Sequence, residues 1–377
     1  MKIALIGPAH PYKGGGARHT TELAHRLAAA GHDVIIESWR AQYPRRLYPG
    51  RQTVDVPEGE PYPRTHRRLA WYRPDGWLAA GGRLRAADLV VFTLLTPLQV
   101  PPYLAIMSRL GGTRTAVICH NVLPHERRPG DVALTRALLT RAGTVLTHSA
   151  GQAAQARDLA PGAAVRTARI PPHLPAAARD QGTERTGSPA PARCLPGGAP
   201  PPDPPARCHL LFFGIVRPYK GLDVLLHALA GAPAHVTLTV AGEFWGGTTE
   251  TDKLIAELGL AGRVSLRPGY VPATAIPALF AAADALVLPY REATASQNAL
   301  LAFAHGVPVI TTTAGALAEA VRDGVDGLTC APGDAADLLR ALTQISDPRT
   351  VARLRSGVRP VDPERGWAEY LQVLLAG

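Results

Sequence analysis

The sequence predicts an α/β protein of two domains, each a parallel sheet covered by helices on both faces. Three observations carry this. Short apolar runs alternate with helical patterns through residue 175; the alternation stops in a stretch crowded with Pro, Gly, Ala and Arg; and it resumes at residue 208. A chain of 377 residues is long enough for two ordinary domains with separate cores.

The elements follow in order. Lys2 to Gly7 reads as a buried strand, without the longer apolar region and cleavage site of a secretory leader. Gly14, Gly15 and Gly16 make a loop, and Arg18 to Ala30 is an amphipathic helix with Leu23 and Leu27 on one face, ended by Gly31. Asp33 to Ser38, Ala87 to Thr93, Arg114 to Cys119 and Thr144 to Thr147 are strands, with a helix from Pro101 to Leu110. Residues 176 to 207 contain no periodic apolar signal, so they bury too little to offset their ordering entropy and read as a linker. His209 to Phe213, Val236 to Ala241, Val264 to Arg267, Ala285 to Leu288 and Val307 to Thr311 are the strands of the second half. A helix runs from Ala299 to His305. Trp367 to Leu375 is a short terminal helix with an apolar face, expected to cross back and pack on the first domain. The expected division is therefore 1–175 with 366–377, a linker at 176–207, and 208–365.

The formal charge of +10 comes from 36 Arg and only 4 Lys. Ala, Gly and Pro are abundant as well, a pattern of GC-rich coding, so basicity alone is not a functional signal. What stands out is local. From Arg40 to Arg73, eight Arg interleave with Tyr43, Tyr48, Tyr62, Trp71 and Tyr72. That composition suits an anionic acceptor, a membrane surface or nucleic acid, or simply a solvated loop region. The four cysteines are scattered with no metal-ligand spacing, and no apolar run is long enough to span a bilayer. A reduced, cytoplasmic setting is expected.

Chemistry concentrates at the ends of predicted strands, where open parallel sheets bind ligands. After His209 to Phe213 the chain reads Gly214-Ile-Val-Arg217-Pro-Tyr-Lys220-Gly221 and then enters a helix. A helix N-terminus already favours phosphate, and two cations placed there make a site for a diphosphate. The plain alternative is a surface Lys–Gly turn. Gly14, Gly15 and Gly16 let backbone approach an anion, with His19 one turn into the next helix. His120 ends the apolar run Val117-Ile118-Cys119 and precedes a Pro-broken loop, which favours function over a structural role. Gly242 and the turn Gly269-Tyr270-Val271 offer amides to a nucleobase edge. Glu292 with Ser296, Gln297, Asn298 and Ala299 sits at a helix start and suits sugar hydroxyls and phosphate together, although Ser296 or Asn298 could serve only as an N-cap. There is no Asp-x-Asp pair to hold a divalent metal, no GxSxG elbow and no Walker sequence.

These residues resemble the GT-B glycosyltransferases of family 4, the retaining nucleotide-sugar enzymes, over nearly the whole chain outside the linker. The family's Gly–Gly loop and following Gly-His-Asp/Glu-Val match Gly14-Gly15 and Gly31-His32-Asp33-Val34. Its strand-end histidine matches His120, its Arg and Lys pair on the donor diphosphate matches Arg217 and Lys220, and its base-pairing turn matches Gly269, Tyr270 and Val271. One departure is plain. The family carries two glutamates eight positions apart; the second falls on Leu301 and the first on Ala293, beside Glu292. Branches with a Ser–Gln pair in this loop are similar.

The resemblance implies two Rossmann-like domains facing across a cleft and a metal-independent, retaining transfer of sugar to an acceptor hydroxyl. Catalytic roles then fall to His120, Arg217, Lys220 and Glu292. Donor contacts fall to Gly14, Gly15, Gly16, Gly214, Gly242, Tyr270, Val271, Ser296, Gln297, Asn298 and Ala299 in addition. Acceptor contacts fall to His19, Trp39, Arg40, Tyr43 and His120. The expected partners are a UDP- or GDP-sugar and a hydroxyl-bearing small molecule or glycan. No cofactor, metal or nucleic acid is expected, and peripheral membrane contact stays open. The alternatives are a lipid-linked or cell-envelope glycan acceptor, a nucleotide-sugar epimerase, for which few acids fall at strand ends, and a non-catalytic nucleotide-sugar or nucleic-acid binding protein.

Overall fold

A computed structural model of the chain describes residues 1–44, 52–54, 59–124, 126–172, 207–293, 297–359 and 361–376. Ser296, residues 176–206 of the expected linker, and Tyr48 lie outside the described residues. Two compact units emerge, Met1–His173 with Ala293–Gln297 and Asp362–Gly377, and Leu174–Glu292 with Asn298–Val361.

The first unit is built on strands β1 (Lys2–Ile6), β2 (Asp33–Ala41), β3 (Thr65–Ala70), β4 (Leu89–Leu94), β5 (Arg114–Cys119), β6 (Thr144–Thr147) and β7 (Val165–Thr167). They form one seven-stranded sheet in the order β3-β2-β1-β4-β5-β6-β7, every pair parallel. The second unit repeats the plan with β8 (Cys208–Phe213), β9 (Val236–Gly242), β10 (Val264–Pro268), β11 (Ala285–Leu288), β12 (Val309–Thr312) and β13 (Gly327–Cys330). Its six parallel strands run β10-β9-β8-β11-β12-β13. Both are Rossmann-like domains: the first strand is central, and strand order reverses between it and the fourth.

Packing explains the strand sequences. Every residue of Leu89-Val-Val-Phe-Thr-Leu94 is buried, as a strand covered on both faces requires. Ile3 and Leu5 of β1 face Leu23, Leu27 and Leu374, whereas Ala4 and Ile6 face the opposite core with Phe92 and Ile106. The terminal helix Pro363–Leu375 belongs to this first core. Asp362 caps it by accepting from Arg365 N, and Trp367, Tyr370 and Leu374 recur at helical spacing on its buried side. In the second domain, Leu210 and Phe212 of β8 pack with Leu238, Val240, Leu225 and Leu342.

The structure contains elements that the sequence reading did not name, among them β3, β7 and β13. The stretch 40–73, read as a loop, contains β3, and the helix Pro74–Leu84 follows it. β3 is an edge strand whose only buried residues are Leu69 and Ala70, so its sequence lacks an apolar alternation to announce it. β7 and β13 are short, at three and four residues, and each lies at a sheet edge; in the elements that were expected, the differences are at the ends. The first helix begins at Gly15, not Arg18, taking Gly15 and Gly16 out of the loop, and β2 continues through Trp39 to Ala41.

Candidate functional site

In the second domain, strand ends β8, β9 and β11 converge through contacts that only glycine permits. Gly214 (φ 105°) follows β8; a side chain there would lie 3.2 Å from Asn298 Nδ2 and 3.6 Å from Lys220 Nζ. Gly242 ends β9, and a Cβ on it would sit 1.9 Å from the carbonyl oxygen of Gly214. Gly221 (φ 66°) begins the helix Leu222–Gly231, and its Cβ would fall 2.1 Å from Pro289 O, just beyond β11. These glycines let three backbones touch beside one lysine.

Polar contacts fix the same point. Asn298, at the start of the helix Gln297–Ala304, donates from Nδ2 to Phe213 O at 2.8 Å. Arg291 donates to Pro218 O at 2.9 Å and holds Asp223 at 2.5 and 2.8 Å, tying the end of β11 to the Pro218–Lys220 turn. That hydrogen-bonded guanidinium keeps the Asp223 carboxyl below its usual range, against the opposing effect of burial. Val216 N donates to Glu243 O at 2.8 Å and Trp245 N to Val216 O at 3.1 Å, joining the turns after β8 and β9. The Arg217 guanidinium lies 4.4 Å from the centroid of Trp245, and Lys220 Nζ lies 5.1 Å from that of Tyr290. Glu292 is exposed and Ala299 is fully buried. An anion at this turn would meet two cations, an amide and a helix start.

Beside it, Gly269 N donates to Gly242 O at 3.0 Å, and a pocket of about 420 Å³ opens between the sheet and the helix Ile276–Ala281. Tyr270, Val271, Arg267, Thr239 and His209 are among its lining residues. The turn expected to meet a nucleobase therefore borders a real cavity.

The first domain differs. His120 follows β5; its N–H donates to Leu94 O at 3.0 Å and its carbonyl accepts from Gln152 Nε2 at 2.9 Å. His19 is completely buried, within 3.1 Å of Tyr370 Oη, stacked on Trp367 at 5.4 Å and edge-on to His120 at 5.0 Å. A third histidine, His148, completes the cluster 5.1 Å from His120. Its Nδ1 lies 3.2 Å from Ala168 O, and its Nε2 has no hydrogen-bond partner among the described residues. Burial pushes the His148 pKa down to about 4 and the adjoining Cys119 thiol up to about 12. Sequence reasoning missed His148, although it follows β6 just as His120 follows β5. Trp245 and Tyr290 were missed too, because contact with a cation leaves no spacing signal.

Other expected residues are distributed as follows. Trp39 is 1% exposed and packs in the core with Tyr103, so it is a core side chain and not an open acceptor surface. His19 is likewise enclosed, because the terminal helix lies over it. Arg40 is exposed and half-buried Tyr43 accepts from Gln42 Nε2 at 2.8 Å. Gly14 takes φ 94° at the helix entrance; Gly15 has open space about it, whereas a side chain on Gly16 would meet Leu95 at 2.4 Å. Gln297 donates to Pro171 O at 2.9 Å. Among the described residues, no group of three His, Cys, Asp or Glu could hold a metal ion, and no helix is long and apolar enough to cross a membrane.

Known proteins resemble this chain in sequence and in fold. Residues 207–347 match the family described as glycosyl transferases group 1, and residues 14–173 match that described as glycosyl transferase 4-like domain. The chain is 30% identical to D-inositol 3-phosphate glycosyltransferase 1 of Catenulispora acidiphila, over 99% of this chain and 92% of that protein. It is 34% identical to the D-inositol 3-phosphate glycosyltransferase of Thermomonospora curvata, over 44% of this chain and 41% of that one. In three dimensions it resembles Anabaena Alr3699/HepE, solved in complex with UDP and glucose, with a TM-score of 0.73 at 17% identity over 99% of both chains.

Proposed function

Because the chain belongs to the GT-B glycosyltransferases of family 4, we propose that it moves a sugar from a nucleotide diphosphate sugar to an acceptor hydroxyl with retention at the anomeric carbon. The observation that carries this is the convergence of Lys220 and Asn298 on the open side of Gly214, with Arg217 in the same turn. As the bond from the sugar to the diphosphate breaks, negative charge grows on the leaving oxygen. Arg217 and Lys220 stabilise that charge without reorganising, and each such preorganised group contributes on the order of a few kcal/mol. Two fixed cations do the electrostatic work that a divalent ion does elsewhere, so the reaction is metal-independent in this reading.

The remaining roles follow from position. The Gly269–Val271 turn and its cavity take the base, and Glu292 holds a sugar hydroxyl. His120 orients the sugar or the acceptor. Either UDP- or GDP-sugar is the donor; the Anabaena protein, solved with UDP and glucose, favours the first. The acceptor is a small hydroxyl-bearing compound, which the D-inositol 3-phosphate of the relatives' names supports, with Arg40 and Tyr43 on its side. The setting is cytoplasmic.

The test is release of UDP or GDP from a panel of sugar nucleotides by the wild type and by Lys220→Ala, each with and without excess EDTA. We expect Lys220→Ala to lose at least about 100-fold in turnover with an unchanged circular-dichroism spectrum, and the wild type to keep its rate in EDTA. Near-normal turnover of the variant at saturating donor overturns the diphosphate assignment. Loss of wild-type activity in EDTA that magnesium or manganese restores overturns metal independence.

A further inference from the structure

The two cations of the turn do not reach out alone. Arg217 lies over the indole of Trp245 at 4.4 Å, and Lys220 lies over the ring of Tyr290 at 5.1 Å. We propose that Trp245 and Tyr290 are positioning residues, whose aromatic faces hold Arg217 and Lys220 in the geometry that receives the donor diphosphate. This rests on the diphosphate reading of the turn and adds the residues that prepare it.

Three lines of observation support it. The first is electrostatic. Two like charges three residues apart repel until an anion arrives, and each is offset here by the negative face of its own ring. Stacking uses the face of a guanidinium and not the in-plane N–H edge that grips a phosphate.

The second is that both rings are anchored to the site by backbone. Trp245 N donates to Val216 O, the residue before Arg217, and Val216 pairs with Phe244 as an isolated bridge. Gly246 and Gly247, at φ 107° and 89°, turn the chain away immediately after the indole. Tyr290 follows Pro289, whose carbonyl is pressed on Gly221, and its own carbonyl accepts from Thr312 Oγ1 at 2.6 Å. These main-chain contacts fix the attachment point of each ring beside the turn that carries its cation.

The third concerns the Tyr290 hydroxyl. Tyr290 is 3% exposed, and its hydroxyl has no hydrogen-bond partner among the described residues. The group that would ordinarily justify a buried tyrosine is idle, whereas the ring is in contact with Lys220. What the position uses is the aromatic face.

The experiment measures binding of inorganic pyrophosphate to the full chain by titration calorimetry, which needs no knowledge of base, sugar or acceptor. The proteins are the wild type, Lys220→Ala, Trp245→Leu, Trp245→Phe and Tyr290→Leu. We expect Lys220→Ala to abolish binding, Trp245→Leu to weaken it about three- to tenfold, and Trp245→Phe to restore affinity to within about twofold of the wild type. With a competent sugar nucleotide, Trp245→Leu should raise the donor KM and lower kcat together, since the cations act on both the bound and the departing diphosphate. Tyr290→Leu should behave like Trp245→Leu. Trp245 is only partly buried, so its variants decide the matter if Tyr290→Leu fails to fold. If Lys220→Ala abolishes binding while Trp245→Leu binds like the wild type, the aromatic proposal is overturned and the diphosphate reading survives. Equal weakening by Trp245→Leu and Trp245→Phe also overturns it, because an aromatic face would then not be the active feature. Wild-type pyrophosphate affinity in Lys220→Ala overturns the diphosphate reading itself.

Discussion

The two domains share one strand order and treat their strand ends in opposite ways. In the first, the polar groups after β5 and β6 are histidines packed among aromatic rings, with Trp367 and Tyr370 of the terminal helix against His19. In the second, the turn after β8 carries two cations beside a pocket open to solvent. Topology supplies the location in both cases, but the covering layer decides the chemistry. Burial among apolar and aromatic side chains favours the neutral form of His148, whereas the turn after β8 places Arg217 and Lys220 where they are only partly buried.

The largest test of this contrast is Trp39→Ala. Trp39 is a core residue of the first domain and should cost about 3–5 kcal/mol of stability, read as a lowered denaturation midpoint. Should the midpoint stay in place while the acceptor KM rises, Trp39 would be a site residue and the enclosed character of that domain would be wrong.

A slightly smaller effect is expected from pH. His148 titrates near 4 in the fold against about 6.5 in the unfolded chain, so its neutral form is favoured by folding. Above the unfolded value neither state binds the proton and the full stability is present. Between pH 6.5 and 4 only the unfolded chain binds it, and stability falls by about 3 kcal/mol before levelling off. Chemical denaturation at pH 7, 5.5 and 4.5 should show this decline, and His148→Asn should flatten it. An equal slope in the variant would place the titration elsewhere.

The smallest effect belongs to Asp223→Asn in the second domain. The carboxylate and Arg291 are 48% and 39% exposed, so losing the pair should cost no more than about 1 kcal/mol. A loss as large as that of Trp39→Ala would erase the distinction between a packed first site and a solvated second one.

Much of this was legible in the sequence for a physical reason. Buried parallel strands must be apolar, so β1, β4, β5, β6, β8, β9 and β11 stand out as runs bounded by turns. Strand ends followed by Gly, His, Arg or Lys are candidate ligand positions in an open parallel sheet, and this singled out His120, Gly214, Arg217 and Lys220. β3 escaped because an edge strand with two buried residues has almost no apolar pattern to read.

By itself, then, the sequence determined the class of fold, the two strand alternations and the turn that carries Arg217 and Lys220, because local periodicity and turn chemistry encode those features. Only the tertiary structure decided that Trp39 and His19 are enclosed, that His148 joins His120, and that Trp245 and Tyr290 lie against the cations. Each of these depends on contact between residues distant along the chain or on different elements. Burial and ring-to-cation distance are properties of packed neighbours, and no spacing within a single segment records them.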